Sequence, residues 1–234
     1  MRKLCFILLV SLWFFSGFAQ AQDDSSKKEN CNDNLENSCL SDKEKYLKAL
    51  KDTAIIEPHE KEWLQTIDVT QPKIVVLTLK ESECSSFVDK DSFKKRDVWM
   101  FLPSELRRVY QSKLNEFANR EDRLKKLIGL KYDKSYKCLI ELEVSSNQLI
   151  RPSFFLDIKG DFQKEKEGEE SFWQIWAKGL YPFTALGYTC DWYYGDGCRY
   201  GLTEFFIKKG NDSVITKACT IDDYLEEKCP EFQK

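Results

Sequence analysis

Three charged side chains stand where they could do chemistry: Arg151, Asp191 and Glu204. Glu204 falls in the run GLTEFFIK, residues 201–208, sharing one strand face with Leu202 and Phe206 while Thr203, Phe205 and Ile207 make the other. Both faces are apolar, so its carboxyl is either partly buried or at a sheet rim, and a buried carboxyl must be paired or protonated. Arg151, whose direction is restricted by the Pro152 that follows, is the candidate partner. Asp191, at a strand end before a hairpin tip, is the second carboxylate. The set reads in two ways. It is either an Arg–Glu and Asp–backbone arrangement that fixes the hairpin, or an acid and a base with an arginine to hold an anionic substrate.

Around Asp191 the stretch 180–207 is dense in aromatics, among them Tyr181, Phe183, Tyr188, Trp192, Tyr193, Tyr194 and Tyr200. One strand cannot bury that many rings. Tyr188, Trp192, Tyr193 and Tyr194 are therefore candidates for contacting a ligand or partner from the hairpin tip. Standard catalytic sets are missing: there is no G-x-S-x-G elbow, phosphate-binding loop or dinucleotide glycine fingerprint. The single histidine, His59, lies in the charged run EPHEKE, which speaks against Ser–His or Cys–His catalysis. With no CxxC and one histidine, a zinc site is not expected, and no cofactor is implied. No residue is assigned a catalytic role.

Residues 1–21 have the form of a secretory signal: Arg2 and Lys3, an apolar core from Cys5 to Phe18, then Ala19-Gln20-Ala21. Of nine cysteines, cleavage would leave Cys31, Cys39, Cys84, Cys138, Cys190, Cys198, Cys219 and Cys229. An even count behind a signal implies disulfides in an oxidising compartment. Roughly a hundred pairings are open. The most economical is local: Cys31–Cys39, Cys190–Cys198 and Cys219–Cys229, leaving Cys84–Cys138 as the long-range bridge. The 36 basic and 39 acidic residues, less Arg2 and Lys3, give a net charge of −5, which argues against nucleic-acid binding. No later run is long enough to span a membrane.

Residues 22–57 read as a polar leader carrying one helix, and 58–234 as a single domain. Ser41 and Glu44 make a capping box for a helix to about Ala54, with Tyr46, Leu47, Leu50 and Ala54 on one side. A short helix follows around 60–66, turning Trp63 inward. KIVVLTLK (73–80) and DVWMFL (97–102) are apolar on both faces, the pattern of covered central strands. A helix N-capped by Ser104 carries a stripe of Leu106, Val109, Tyr110, Leu114 and Phe117. A second, with Leu124, Leu127 and Ile128, stops at Gly129. Residues 136–144 alternate as a half-buried strand that turns Cys138 inward and leaves Glu141 and Glu143 on the outer face. The charged span 159–170 reads as a loop before a core helix with Phe172, Trp173, Ile175 and Trp176. Strands at 202–208 and 213–219, a Thr220 cap and a last helix complete the chain. The order predicts one α+β domain with a largely antiparallel sheet of about five to six strands packed by helices and stapled by disulfides.

The segments Tyr181-Pro182-Phe183-Thr184, Leu186-Gly187-Tyr188-Thr189, Asp191-Trp192 and Gly201-Leu202-Thr203-Glu204-Phe205 resemble an uncharacterised family of exported bacterial proteins with a PYPWT-x-LGYTYDWG…GLSEF pattern. IVVLTLK, DVWMFLP and Arg151-Pro152 fall in the same order, so the likeness runs over about 58–225. It implies a shared fold and export and supplies no activity. This chain departs from the pattern at Cys190, at Tyr193-Tyr194 and at Ser153, so the Cys190–Cys198 staple is a feature of its own. The expectation is a periplasmic or secreted, non-enzymatic domain that binds a protein, peptide or glycan through the aromatic hairpin. The alternative is a carboxylate enzyme using Arg151, Asp191 and Glu204. A transferase acting on a dinucleotide has only an arginine-then-glutamate order behind it.

Overall fold

The computed structural model describes residues 39–52, 64–68, 70–87, 95, 97–153, 181–182, 184 and 186–230. The signal segment, Cys31, His59, Trp63, the 159–170 span and the helix expected at 172–176 lie outside them.

The described residues form an antiparallel six-stranded sheet with four helices, an α+β domain. In chain order the elements are α1 (Asp42–Asp52), β1 (Lys73–Lys80), β2 (Val98–Phe101), α2 (Pro103–Ser112), α3 (Arg120–Leu127), β3 (Cys138–Ser145), β4 (Tyr188–Asp191), β5 (Arg199–Ile207), β6 (Ser213–Cys219) and α4 (Ile221–Leu225). The spatial order is β4-β5-β2-β1-β3-β6. The two runs apolar on both faces, β1 and β2, are central, because each must be covered above and below. Register fixes the two faces. Leu77 opposes Phe101 and Glu141, Phe101 opposes Glu204, and Trp99 opposes Phe206. Leu77, Leu79, Phe101, Leu139 and Leu202 thereby face α2, α3 and α4 in one core. Val76, Met100, Cys138, Ile140, Leu142 and Phe205 build a second core on the other face, with Ile67, Phe87 and Leu149.

Three disulfides staple this sheet: Cys84–Cys138, Cys190–Cys198 and Cys219–Cys229, with Cα atoms 5.0, 5.1 and 5.6 Å apart. The two local pairs are those suggested by spacing, and Cys84–Cys138 is the long-range pair that local pairing leaves over. Cys39 is also disulfide-bonded, and the expected Cys31–Cys39 pairing falls outside the described residues. Three such bridges fit an oxidising, extracytoplasmic environment. No helix among the described residues is long and apolar enough to cross a membrane.

Several local expectations change. The capping box forms, with Ser41 N donating to Glu44 at 2.8 Å and Glu44 N to Ser41 Oγ at 3.3 Å. The buried face of α1, however, is Tyr46 and Ala49, and Leu47 is exposed. Helix α1 packs against the hairpin, where Tyr46 meets Trp192 edge-on at 5.5 Å. Helix α2 starts at Pro103, and Leu102 rather than Ser104 is its N-cap, since proline occupies the first helical position without losing a bond. The stripe breaks after Ser112 into a 3₁₀ turn, Leu114–Phe117. That turn buries Phe117 and leaves Leu114 57 % exposed. Strand β3 is buried on both faces, because Glu141 is covered by α4 and β6.

Gly201 shows why the GLTEF run needs its glycine. An added Cβ would stand against Leu127 O, Thr189 Oγ1 and Thr189 O, where the last turn of α3 lies on β5. Gly201→Ala is expected to cost about 1–3 kcal/mol as overpacking, read as a lower denaturation midpoint; an unchanged midpoint would refute this close approach.

Candidate functional site: a cavity beside Glu204

The three charged residues singled out from sequence do not converge. Ile150 bridges Phe206, so Arg151, one residue on, emerges on the opposite face from Glu204. There it is 2 % exposed, its guanidinium lies 5.0 Å over the Phe205 ring, and Nη2 donates to Gln65 O at 2.6 Å. The expected Arg151–Glu204 pair is thus replaced by an arginine sealing the second core. Gly187 makes room for it, since a Cβ there would meet Arg151 Cδ at 2.7 Å.

Asp191 has a different partner, Arg123 of α3. Nη1 and Nη2 donate to its two oxygens at 3.0 and 2.7 Å, and both residues are fully buried. Arg123 Nε also donates to Glu116 at 3.1 Å, and Glu116 accepts from Tyr194 Oη at 2.7 Å. Tyr194 in turn accepts from Lys113 Nζ at 2.7 Å. The Tyr193 amide donates to Asp191 at 3.1 Å, and its ring lies 4.6 Å from the guanidinium. This chain of charge-assisted bonds locks the hairpin onto α3. Nothing in REDRLKKL marked Arg123 as buried.

The hairpin aromatics are absorbed by the same packing. Trp192 is 0 % exposed and donates Nε1–H to Leu130 O at 3.1 Å. Tyr188 is buried against Tyr200, ring centroids 5.0 Å apart. Tyr193 and Tyr194 are half-buried, and Arg199 stacks on Tyr194 at 4.2 Å. The tip is a clamp for α1 and α3 rather than a row of open rings.

Glu204 is the exception. A cavity of about 540 Å³ opens on the helix-bearing side, lined by Leu79, Trp99, Phe101, Leu130, Tyr181 and Glu204 among others. Two other glutamates at the sheet show how this fold treats a structural carboxylate. Glu105 accepts from the Tyr200 hydroxyl at 2.8 Å and the Thr203 amide at 2.7 Å. Glu141 accepts from Tyr224 Oη at 2.8 Å and Thr216 Oγ1 at 3.0 Å. No hydrogen bond or ion pair from the described residues reaches the Glu204 carboxyl. Glu204 is half-buried, and its partial loss of hydration pushes its pKa up to about 8, the direction a carboxyl takes on burial. Asp191 does not line the cavity, so the anticipated pair of carboxylates is not assembled there. Among the described residues no cluster could hold a metal ion.

No family model, curated protein or solved structure matches the chain.

Proposed function

We propose that the protein is an exported, non-enzymatic binding domain, periplasmic or secreted, whose ligand is a small and largely apolar molecule held in the cavity beside Glu204. The observation that carries this reading is the Glu204 carboxyl, without a hydrogen bond or ion pair from the described residues, beside Leu79, Trp99, Phe101 and Leu130 in the cavity. Small-molecule sites combine an apolar lining with a few convergent polar groups in a volume of roughly 300–1,000 Å³, and this cavity has that size and make-up. Export rests on the signal-like leader, the disulfides and the likeness to an exported bacterial family. The acid–base alternative loses its second member, because Asp191 is held by Arg123. A partner-binding role for the hairpin is weakened likewise by the engagement of its rings.

Octanol serves as a minimal probe, with the fluorescence of Trp99 on the cavity wall as one reporter and calorimetry as the other. Saturable binding is expected, lost in Leu130→Trp, which fills the cavity from its half-buried rim. An absence of saturable binding, or binding indifferent to Leu130→Trp, would overturn the reading.

A further inference from the structure

We propose that the cavity selects a cationic amphiphile, a primary amine on an apolar body, whose ammonium group pairs with Glu204; this rests on the cavity being the binding site. The charges around the cavity carry the inference. Among the described residues its titratable lining groups are Glu204 on β5, Lys80 and Glu81 at the end of β1, Asp97 before β2, Tyr136 before β3, and Tyr181. Glu204 shares the cavity face of the sheet with Phe101, its register partner, and with Leu79. Lys80, the one cationic residue among the described lining residues, is out of phase with Leu79 and belongs to the other side of β1. Glu81 is spoken for by Lys134 at 3.4 Å, and Asp97 accepts the Lys209 amide at 2.8 Å. Both are carboxyl side chains at the rim.

Among the described residues, a carboxylate or phosphate ligand would therefore enter a site lined by three carboxyls, with Lys80 as its one cation, set out of phase with the Glu204 face. A neutral ligand would gain one ordinary hydrogen bond. An ammonium gains a charge-assisted one, about twice as strong, and the rings of Trp99, Tyr136 and Tyr181 offer further cation–π stabilisation. The proton balance is simple. In the free protein near neutral pH the carboxyl is protonated, because burial raises its pKa. When the ammonium binds, the acid gives its proton to buffer and the ion pair forms, with no bond made or broken in the ligand. The lining carboxyls are not clustered as a metal site among the described residues, and a divalent cation takes several oxygen ligands. An organic cation needs only one, and its apolar body uses the rest of the lining.

Calorimetry with octylamine, octanol and octanoate in buffers of different ionisation enthalpy tests this. Octylamine should bind roughly tenfold or more tighter than octanol, octanoate should be weakest, and only octylamine should release about one proton. In Glu204→Gln the amine preference and the proton release should vanish while octanol still binds, which also shows that the variant is folded. Octanol equal to or tighter than octylamine, or an amine preference surviving in Glu204→Gln, overturns the inference and leaves the binding site standing. Failure of every probe overturns the binding site itself.

Discussion

Arg123→Met should destabilise the protein by about 3–5 kcal/mol, the cost of leaving a buried carboxylate without its counter-charge. The guanidinium is 0 % exposed, and its fork satisfies both oxygens of Asp191. Removing it strands Asp191 beside Cys190 and Trp192, where water cannot readily replace the lost bonds. Asp191→Asn should do comparable harm by stranding the arginine, although Glu116 retains part of its charge partnership. The double variant should cost clearly less than the sum of the two, because neither orphan charge remains; such coupling is the signature of a pair rather than of two independent packing defects. In a domain of this size the single changes should lower the melting temperature by roughly 10 °C. Single-variant losses under about 1 kcal/mol, or strictly additive behaviour, would show that the hairpin is held by its rings and the Cys190–Cys198 bridge instead.

What the sequence disclosed and what it hid divide by range. Strands β1 and β2 were legible because continuous apolar runs need cover on both faces, and the local disulfides because short loops close at low cost. The alternation in β3 correctly placed Cys138, Ile140, Leu142 and Val144 in one core, whereas Tyr136, expected on the same face, precedes the strand and joins the other core. It failed for Glu141, whose cover comes from Tyr224 and Thr216, 75 or more residues along the chain. Glu204 was visible as a charge in an apolar strand, yet its partner was misjudged by one step of parity, since the Ile150–Phe206 bridge turns Arg151 to the far side. Arg123 was invisible for a stronger reason. REDRLKKL has the composition of a solvated helix, yet Arg123 is buried against the hairpin's Asp191 and Lys126 against Trp192 and α1. Lys126 then reaches Asp42 of α1 at 2.8 Å and Asp122 at 2.7 Å. Signals carried by one segment's own pattern survive, and those that depend on what a distant segment covers do not.

Glu204→Gln should remove a pH dependence that the native protein carries. Burial pushes the carboxyl from its ordinary value of 4.5, which it keeps in the unfolded chain, up to about 8 in the folded one. Between these values the folded state holds a proton that the unfolded state has released, so stability falls as pH rises. The full contribution is present below about pH 4.5 and is lost by the time pH passes 8. Each tenfold displacement of a protonation equilibrium is worth about 1.4 kcal/mol, which sets an upper bound of on the order of 5 kcal/mol for the loss, lessened by any water that enters the cavity. Glutamine matches the protonated carboxyl in shape and polarity and does not titrate. At pH 4 native and variant proteins should therefore have similar stability, within about 1 kcal/mol. At pH 8.5 the variant should be the more stable of the two, by several kcal/mol, in denaturant unfolding. Curves that run parallel from pH 4 to pH 8.5 would mean that the carboxyl is hydrated or paired in the folded protein. A saturating amine offers a second check on the same residue: by pairing with the ionised carboxyl it should restore much of the native protein's stability at pH 8.5 and leave Glu204→Gln almost unchanged.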